Sequence, residues 1–258
     1  MSALALGFSV ATFFSTMFGG MAALRLRDRL QPVMAFAAGV LVATALADLL
    51  PEAAEQAGPD APIPVGMVAV FGFLLFAALD AFLHRQAFAH LDHHHDGADH
   101  GHGDDDHSEH EAGALGFVGP AGLIVHSTLD GLAIGLGFRA SAEVGLLVAF
   151  AVLAHDFADG MNVVTLAMAG GRSRTGAFAF LAADALAPVI GAVVGTFATV
   201  PGTLLGALLA LFAGVFVAIG AGHLLPEAQM HKPGLAPALV GLAALGAAIV
   251  MLVRLVLG

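Results

Sequence analysis

The chain has no cysteine, no tryptophan and no tyrosine among its 258 residues. The lack of thiols excludes disulfides, thiolate metal sites and cysteine nucleophiles, and leaves the redox compartment undetermined. The lack of Trp and Tyr removes the ordinary aromatic belt of a lipid–water interface, which nineteen Phe residues could replace only in part. Charge is scarce too. Asp, Glu, Lys and Arg make up 11% of the chain, against roughly 25% in soluble domains. Nine Lys and Arg in total give nucleic-acid binding no electrostatic support.

What the chain has instead is apolar residues. They make up 59% of the sequence, with a mean hydropathy of +0.90. Length alone would allow one or two soluble domains. Repeated apolar runs of about 20 residues overrule that reading and identify an integral, multi-pass membrane protein in a lipid bilayer. Runs broken by charge, Gly and Pro predict spans at 3–24, 33–54, 64–84, 114–138, 142–169, 175–199, 203–226 and 235–256. No basic segment precedes the first run, which reads as a span rather than a cleaved signal peptide.

Basic residues set the expected orientation. Arg25, Arg27, Arg29, Arg85, Arg172, Arg174 and Lys232 fall on one side of an eight-span layout, and only Arg139 and Arg254 on the other. Positive residues favour the cytoplasm, so both termini are expected outside it. The expected location is a bacterial-type plasma (inner) membrane.

The net charge of −11 is concentrated in one place. Eight of the twenty acidic residues lie between Asp92 and Glu111, and eight of the thirteen histidines between His90 and His110. Such a stretch cannot bury a core, so residues 90–111 are expected to form a disordered cytoplasmic loop within a single domain spanning 1–258. Interleaved imidazoles and carboxylates suit weak, multivalent metal capture, set against the plainer reading of a solvated linker.

A short repeat suggests how the spans are organised. Asp48-Leu49-Leu50-Pro51-Glu52-Ala53 ends span two, and His223-Leu224-Leu225-Pro226-Glu227-Ala228 ends span seven. Those spans run in opposite directions, so the match predicts inverted repeats of three spans around a central pair, a 3+2+3 plan. Pro51 and Pro226 are expected to end or kink their helices.

The chemistry lies in the central pair. His126-Ser127-Thr128-Leu129-Asp130-Gly131 and His155-Asp156-Phe157-Ala158-Asp159-Gly160 repeat the pattern His-x-x-x-Asp-Gly at mid-span. An ionised carboxylate at a membrane helix centre costs roughly 2.5–3.5 kcal/mol, so it is rarely there without a purpose. Residues four apart lie about 40° apart around a helix, so each motif offers one nitrogen and one oxygen to a common space. Two facing helices then supply His126, Asp130, His155 and Asp159, enough for a tetrahedral zinc-like ion. Asp156 lies about 100° from His155, with Asp159 between them, the layout of a binuclear or stepwise pathway. Ser127 holds the matching position on span four as a weak ligand or water-holding group, and Asn162 offers an amide one turn beyond Asp159.

Other intramembrane polar residues join the candidates. Asp184 precedes the helix-distorting Pro188 by one turn and can reach a central cavity. Asp48 and Glu52, Asp80, and His223 with Glu227 lie near span ends as path or gate residues. The competing reading is interhelical hydrogen bonding. Five ionisable groups in two matched motifs argue against it, because clustered carboxylates repel one another unless a cation cancels the charge. Protons could do so too, which keeps a proton pathway in competition.

The paired motifs, the eight spans, the LLPEA segments and the His-rich loop resemble the ZIP (Zrt-, Irt-like) family of zinc and iron permeases. Those proteins typically carry His-Asn-x-x-Glu-Gly and His-Glu-x-x-Glu-Gly on spans four and five. Here the acidic ligands are shortened to Asp, and Ser127 replaces Asn. The resemblance implies a first metal position at His126, Asp130, His155 and Asp159, and a second at Asp156 and Asp159. Many relatives place Glu just before the span-six proline; this chain has Ala187 there, with Asp184 one turn earlier. The resemblance also implies movement of metal toward the cytoplasm, with spans one, four, five and six sliding against the rest, and a frequent homodimer.

Secondary or facilitated transport of a divalent transition metal is therefore expected. Mixed nitrogen and oxygen ligands suit Zn²⁺ first, then Fe²⁺, Mn²⁺ or Cd²⁺. No Walker motif or His-Glu-x-x-His occurs, so direct ATP drive and zincin-type catalysis lack support, and no cofactor is expected. The alternatives are an exporter resembling cation diffusion facilitators and a non-transporting membrane metal sensor or buffer.

Overall fold

The computed structural model describes residues 2–26, 30–88, 105–231 and 233–257. Every regular element among them is helical. Eight rods follow in chain order: α1 (Ser2–Leu26), α2 (Gln31–Ala57), α3 (Val65–Phe88), α4 (Asp105–Ala140), α5 (Ala142–Ala169), α6 (Arg174–Phe197), α7 (Gly202–Met230) and α8 (Ala236–Leu257). Seven are long and apolar enough to cross a membrane, and α3 has a shorter apolar stretch, Val65–Ala81. The all-α, polytopic class follows.

Local chemistry explains the ends. Ser141 and Ser173 cap α5 and α6, accepting from the backbone N–H groups of Val144 and Gly176. Pro32 opens α2 and Pro201 precedes α7, where a missing amide costs nothing. Gly171, at φ +77, closes α5 in a Schellman arrangement, with Arg172 N–H returning to the Ala167 carbonyl.

Two expectations about helix limits change. First, α4 begins at Asp105 rather than near 114, although its apolar membrane part is Phe117–Ala140. Apolarity marks what lipid tolerates, whereas polar residues continue a helix into water. The rest of the His-rich insert, including His90, His93, His94, His95, His100 and His102, lies outside the described residues, as do Arg27, Arg29 and Lys232.

Second, Pro51 and Pro226 do not end their helices. Each follows a π-helical turn, Ala45–Leu49 in α2 and Ala218–Leu224 in α7. The N–H groups of Leu50 and Leu225 reach five residues back, to the carbonyls of Ala45 and Gly220. The wider ladder absorbs the amide that proline lacks, and the helix resumes. Asp48 and His223 occupy matching places inside these turns, three residues before each proline.

Packing pairs α1 with α5, α4 with α6, α2 with α8, and α3 with α7, while α4 also lies against α5. Glycine permits the two closest crossings beside the motifs. A Cβ on Gly131 would overlap the Pro188 carbonyl and one on Gly191 the Thr128 carbonyl, so α4 and α6 touch backbone to backbone. Gly160 against the Thr16 carbonyl and Gly19 against the Phe157 carbonyl do the same for α5 and α1. Phe138, Phe216, Leu41, Leu49 and Ile134 fill the fully buried core. Phe71, Leu74 and Leu75 of α3 and Leu252, Leu255 and Val256 of α8 point outward, as lipid-facing side chains do.

Candidate metal centre

The tight α4–α6 and α1–α5 crossings hold the two motif helices face to face. His126, Asp130, His155 and Asp159 converge, each at most 6% exposed, with one donor atom from each within 4.8 Å of the others. His126 Nε2 lies 3.0 Å from Asp130 Oδ2 and 3.7 Å from Asp159 Oδ2. His155 Nε2 lies 3.4 Å and 3.5 Å from the same two oxygens. Corners of a tetrahedron around Zn²⁺, with bonds of roughly 2.0–2.1 Å, stand about 3.4 Å apart. The four separations bracket that value.

The direction of the donors matters as much as their spacing. His155 Nδ1 lies 2.9 Å from the Ala151 carbonyl, a contact that assigns the ring proton to Nδ1. In the neutral ring Nε2 then presents a lone pair toward two carboxylates that also present lone pairs. Such an arrangement is repulsive until a metal cation or a proton enters it. His126 Nε2 and Asp159 Oδ2 are buried without a hydrogen-bond partner, despite their short approach to neighbours. Buried polar atoms are usually satisfied, so this concentration of orphans at one point is compatible with a metal site.

Aromatic side chains wall the site on the α3 and α7 side. Phe76 stands 5.3 Å from the His126 ring and Phe216 6.0 Å from the His155 ring, centroid to centroid. They exclude water from that flank and so strengthen every charge interaction inside. Neither was legible in residue order, since nineteen Phe residues are spread along the chain.

Neighbouring candidates divide into two groups. Asp156 is buried beside the four, with Oδ1 4.0 Å from His155 Nε2 and without a hydrogen bond. Asp184 is fully buried; its Oδ1 accepts from Ser127 Oγ at 2.8 Å and its Oδ2 has no partner. The Ser127 hydroxyl proton is thus directed at Asp184. Asn162 is half-buried one turn beyond Asp159. His223 and Glu227 belong to a separate, partly exposed cluster, with His223 Nδ1 3.1 Å from Asp80 and Nε2 3.2 Å from Glu227.

Asp48, a path or gate candidate by sequence, sits in a closed setting. It is fully buried, and Arg254 Nη1 donates to its Oδ1 at 2.8 Å. A guanidinium already supplies the countercharge there. Glu52 remains half-buried and accepts from Gln56 Nε2 at 2.8 Å.

Comparison with known families gives one match. A family model described as ZIP Zinc transporter covers residues 85–254, more than half of the chain and both motifs. No curated protein matches it.

Proposed function

This chain belongs to the ZIP family of membrane transporters, and from that premise we propose that it carries Zn²⁺ across the bilayer toward the cytoplasm. Fe²⁺, Mn²⁺ and Cd²⁺ share the ligand chemistry and are the alternative cargoes. His126, Asp130, His155 and Asp159 form the first position. Asp156, Asp159 and Asp184 supply oxygens for a second, with Ser127 orienting Asp184 and Asn162 at its edge. The observation that carries the reading is the convergence of buried nitrogen and oxygen donors from two helices, with His126 Nε2 and Asp159 Oδ2 left without a hydrogen-bond partner.

Cargo loses its water shell at this site because imidazole and carboxylate replace it. Two His and two Asp leave a Zn²⁺ complex neutral, so the loaded site carries no net charge through the hydrocarbon. His223, Glu227 and Asp80 are the next stop on the way out. The helix pairings and the matched π turns support the 3+2+3 inverted repeat, in which α2 and α8 correspond to α7 and α3. The orientation with both termini outside a bacterial inner membrane, and a homodimeric assembly, complete the proposal.

Radiometal uptake into proteoliposomes of known sidedness, with competing ions and both directions of pH gradient, tests it. Saturable, metal-selective accumulation is expected. Binding without accumulation would leave a sensor or buffer instead, and efflux alone would reverse the direction.

A further inference from the structure

Helix α1 contributes no residue to the proposed ligand sets, yet it touches the site. Its packing against α5 is fixed in register by two features. Ser15 Oγ donates across the helix pair to the Leu153 carbonyl at 3.1 Å. Two turns of α5 further on, the Thr16 carbonyl lies where a Cβ on Gly160 would fall. Between these two points Thr16 presents its side chain to Asp156.

Thr16 is buried, and so is Asp156. Thr16 Oγ1 lies 3.0 Å from the Thr12 carbonyl on its own helix and 3.5 Å from Asp156 Oδ2 on α5. The other buried α1 hydroxyls, Ser9 and Thr12, direct their protons only to backbone carbonyls one turn back. Thr16 is the member of this stripe that also faces a carboxylate. Asp156 Oδ1, on the opposite side of that carboxylate, faces His155 and has no hydrogen bond. The single Thr16 proton is shared between the Thr12 carbonyl and Asp156 Oδ2, and this long three-centre contact biases the carboxylate so that Oδ1 stays open.

We propose that Thr16 is a positioning residue, holding Asp156 Oδ2 against α1 so that Oδ1 is presented to the transported dication. This inference rests on the metal site described above and extends it to a helix outside the motif pair. A preoriented carboxylate binds more tightly because less rotational freedom is lost when the cation arrives. The Ser15 and Gly160 contacts keep the hydroxyl in place, so the effect depends on the α1–α5 register rather than on Thr16 alone.

The test is a double-mutant cycle in full-length protein, using Thr16→Val, Asp156→Asn and the pair. Thr16→Val keeps the branched shape and removes only the hydroxyl. Expected is a rise of about three- to tenfold in the KM for Zn²⁺ uptake, from loss of a long, shared hydrogen bond to the carboxylate. The maximal rate should change less. Thr16→Ser should recover affinity, and Thr16→Val should add nothing in the Asp156→Asn background. Zn²⁺ titration calorimetry on the detergent-solubilised variants reads the same effect without transport, so a wild type that binds but does not transport defeats the proposed function and still tests Thr16. An unchanged affinity in Thr16→Val would overturn the inference. So would an equal loss in both backgrounds, or a failure of Thr16→Ser to recover, since each makes Thr16 a packing residue.

Discussion

His155→Ala is the sharpest perturbation of the central site. His155 is fully buried, its Nδ1 is tied to the Ala151 carbonyl, and its Nε2 faces the Asp130 and Asp159 oxygens at 3.4 Å and 3.5 Å. Loss of an outer-shell partner alone typically weakens metal binding about 10–100-fold. Loss of the ligand itself should exceed that, by at least about 100-fold or about 2.7 kcal/mol. Linkage turns this into a stability readout. With Zn²⁺ at about 100 times the wild-type Kd, binding stabilises the folded protein by about 2.7 kcal/mol. For the variant the same concentration then only equals Kd, and the gain falls to about 0.4 kcal/mol. Thermal unfolding of purified protein with and without Zn²⁺, alongside radiometal uptake, measures both quantities. The expected result is a large metal-induced rise in Tm for wild type, little for His155→Ala, and no uptake by the variant. A folded variant with wild-type uptake and an undiminished Tm shift would refute the central-site reading.

Arg254→Met should destabilise by up to about 3 kcal/mol, because it leaves Asp48 buried without its countercharge while the exposed part of Arg254 moderates the loss. Adding Asp48→Asn should recover most of that in a thermal or denaturant unfolding assay. Gly131→Ala places a methyl on the Pro188 carbonyl and forces α4 from α6. A cost of about 1–3 kcal/mol is expected, with reduced uptake, whereas a neutral result would mean that the crossing is looser than its geometry. Deleting residues 92–104 should lower uptake at limiting metal without abolishing it. Complete loss would make the His-rich insert part of the obligatory path.

Residue order set neither partner choice nor direction for these side chains, but it determined a good deal. Apolar run length located all eight helices, because lipid imposes its thickness on each span locally and independently of the others. Helical periodicity placed His126 with Asp130, and His155 with Asp159, on shared faces for the same local reason. The two LLPEA segments marked where the π turns occur, although only the backbone revealed that proline widens these helices instead of ending them.

What tertiary structure alone decided is how the helices are rotated and which distant groups meet. Asp48 and Arg254 are 206 residues apart, Thr16 and Asp156 140, and Ser127 and Asp184 57. No periodicity links such pairs. Their meeting depends on helix crossings set by glycines against carbonyls, and rotation at a crossing would turn these buried groups away from one another. Donor types and their spacing along a helix are local properties, written in residue order. Convergence on one point is a property of the packed bundle.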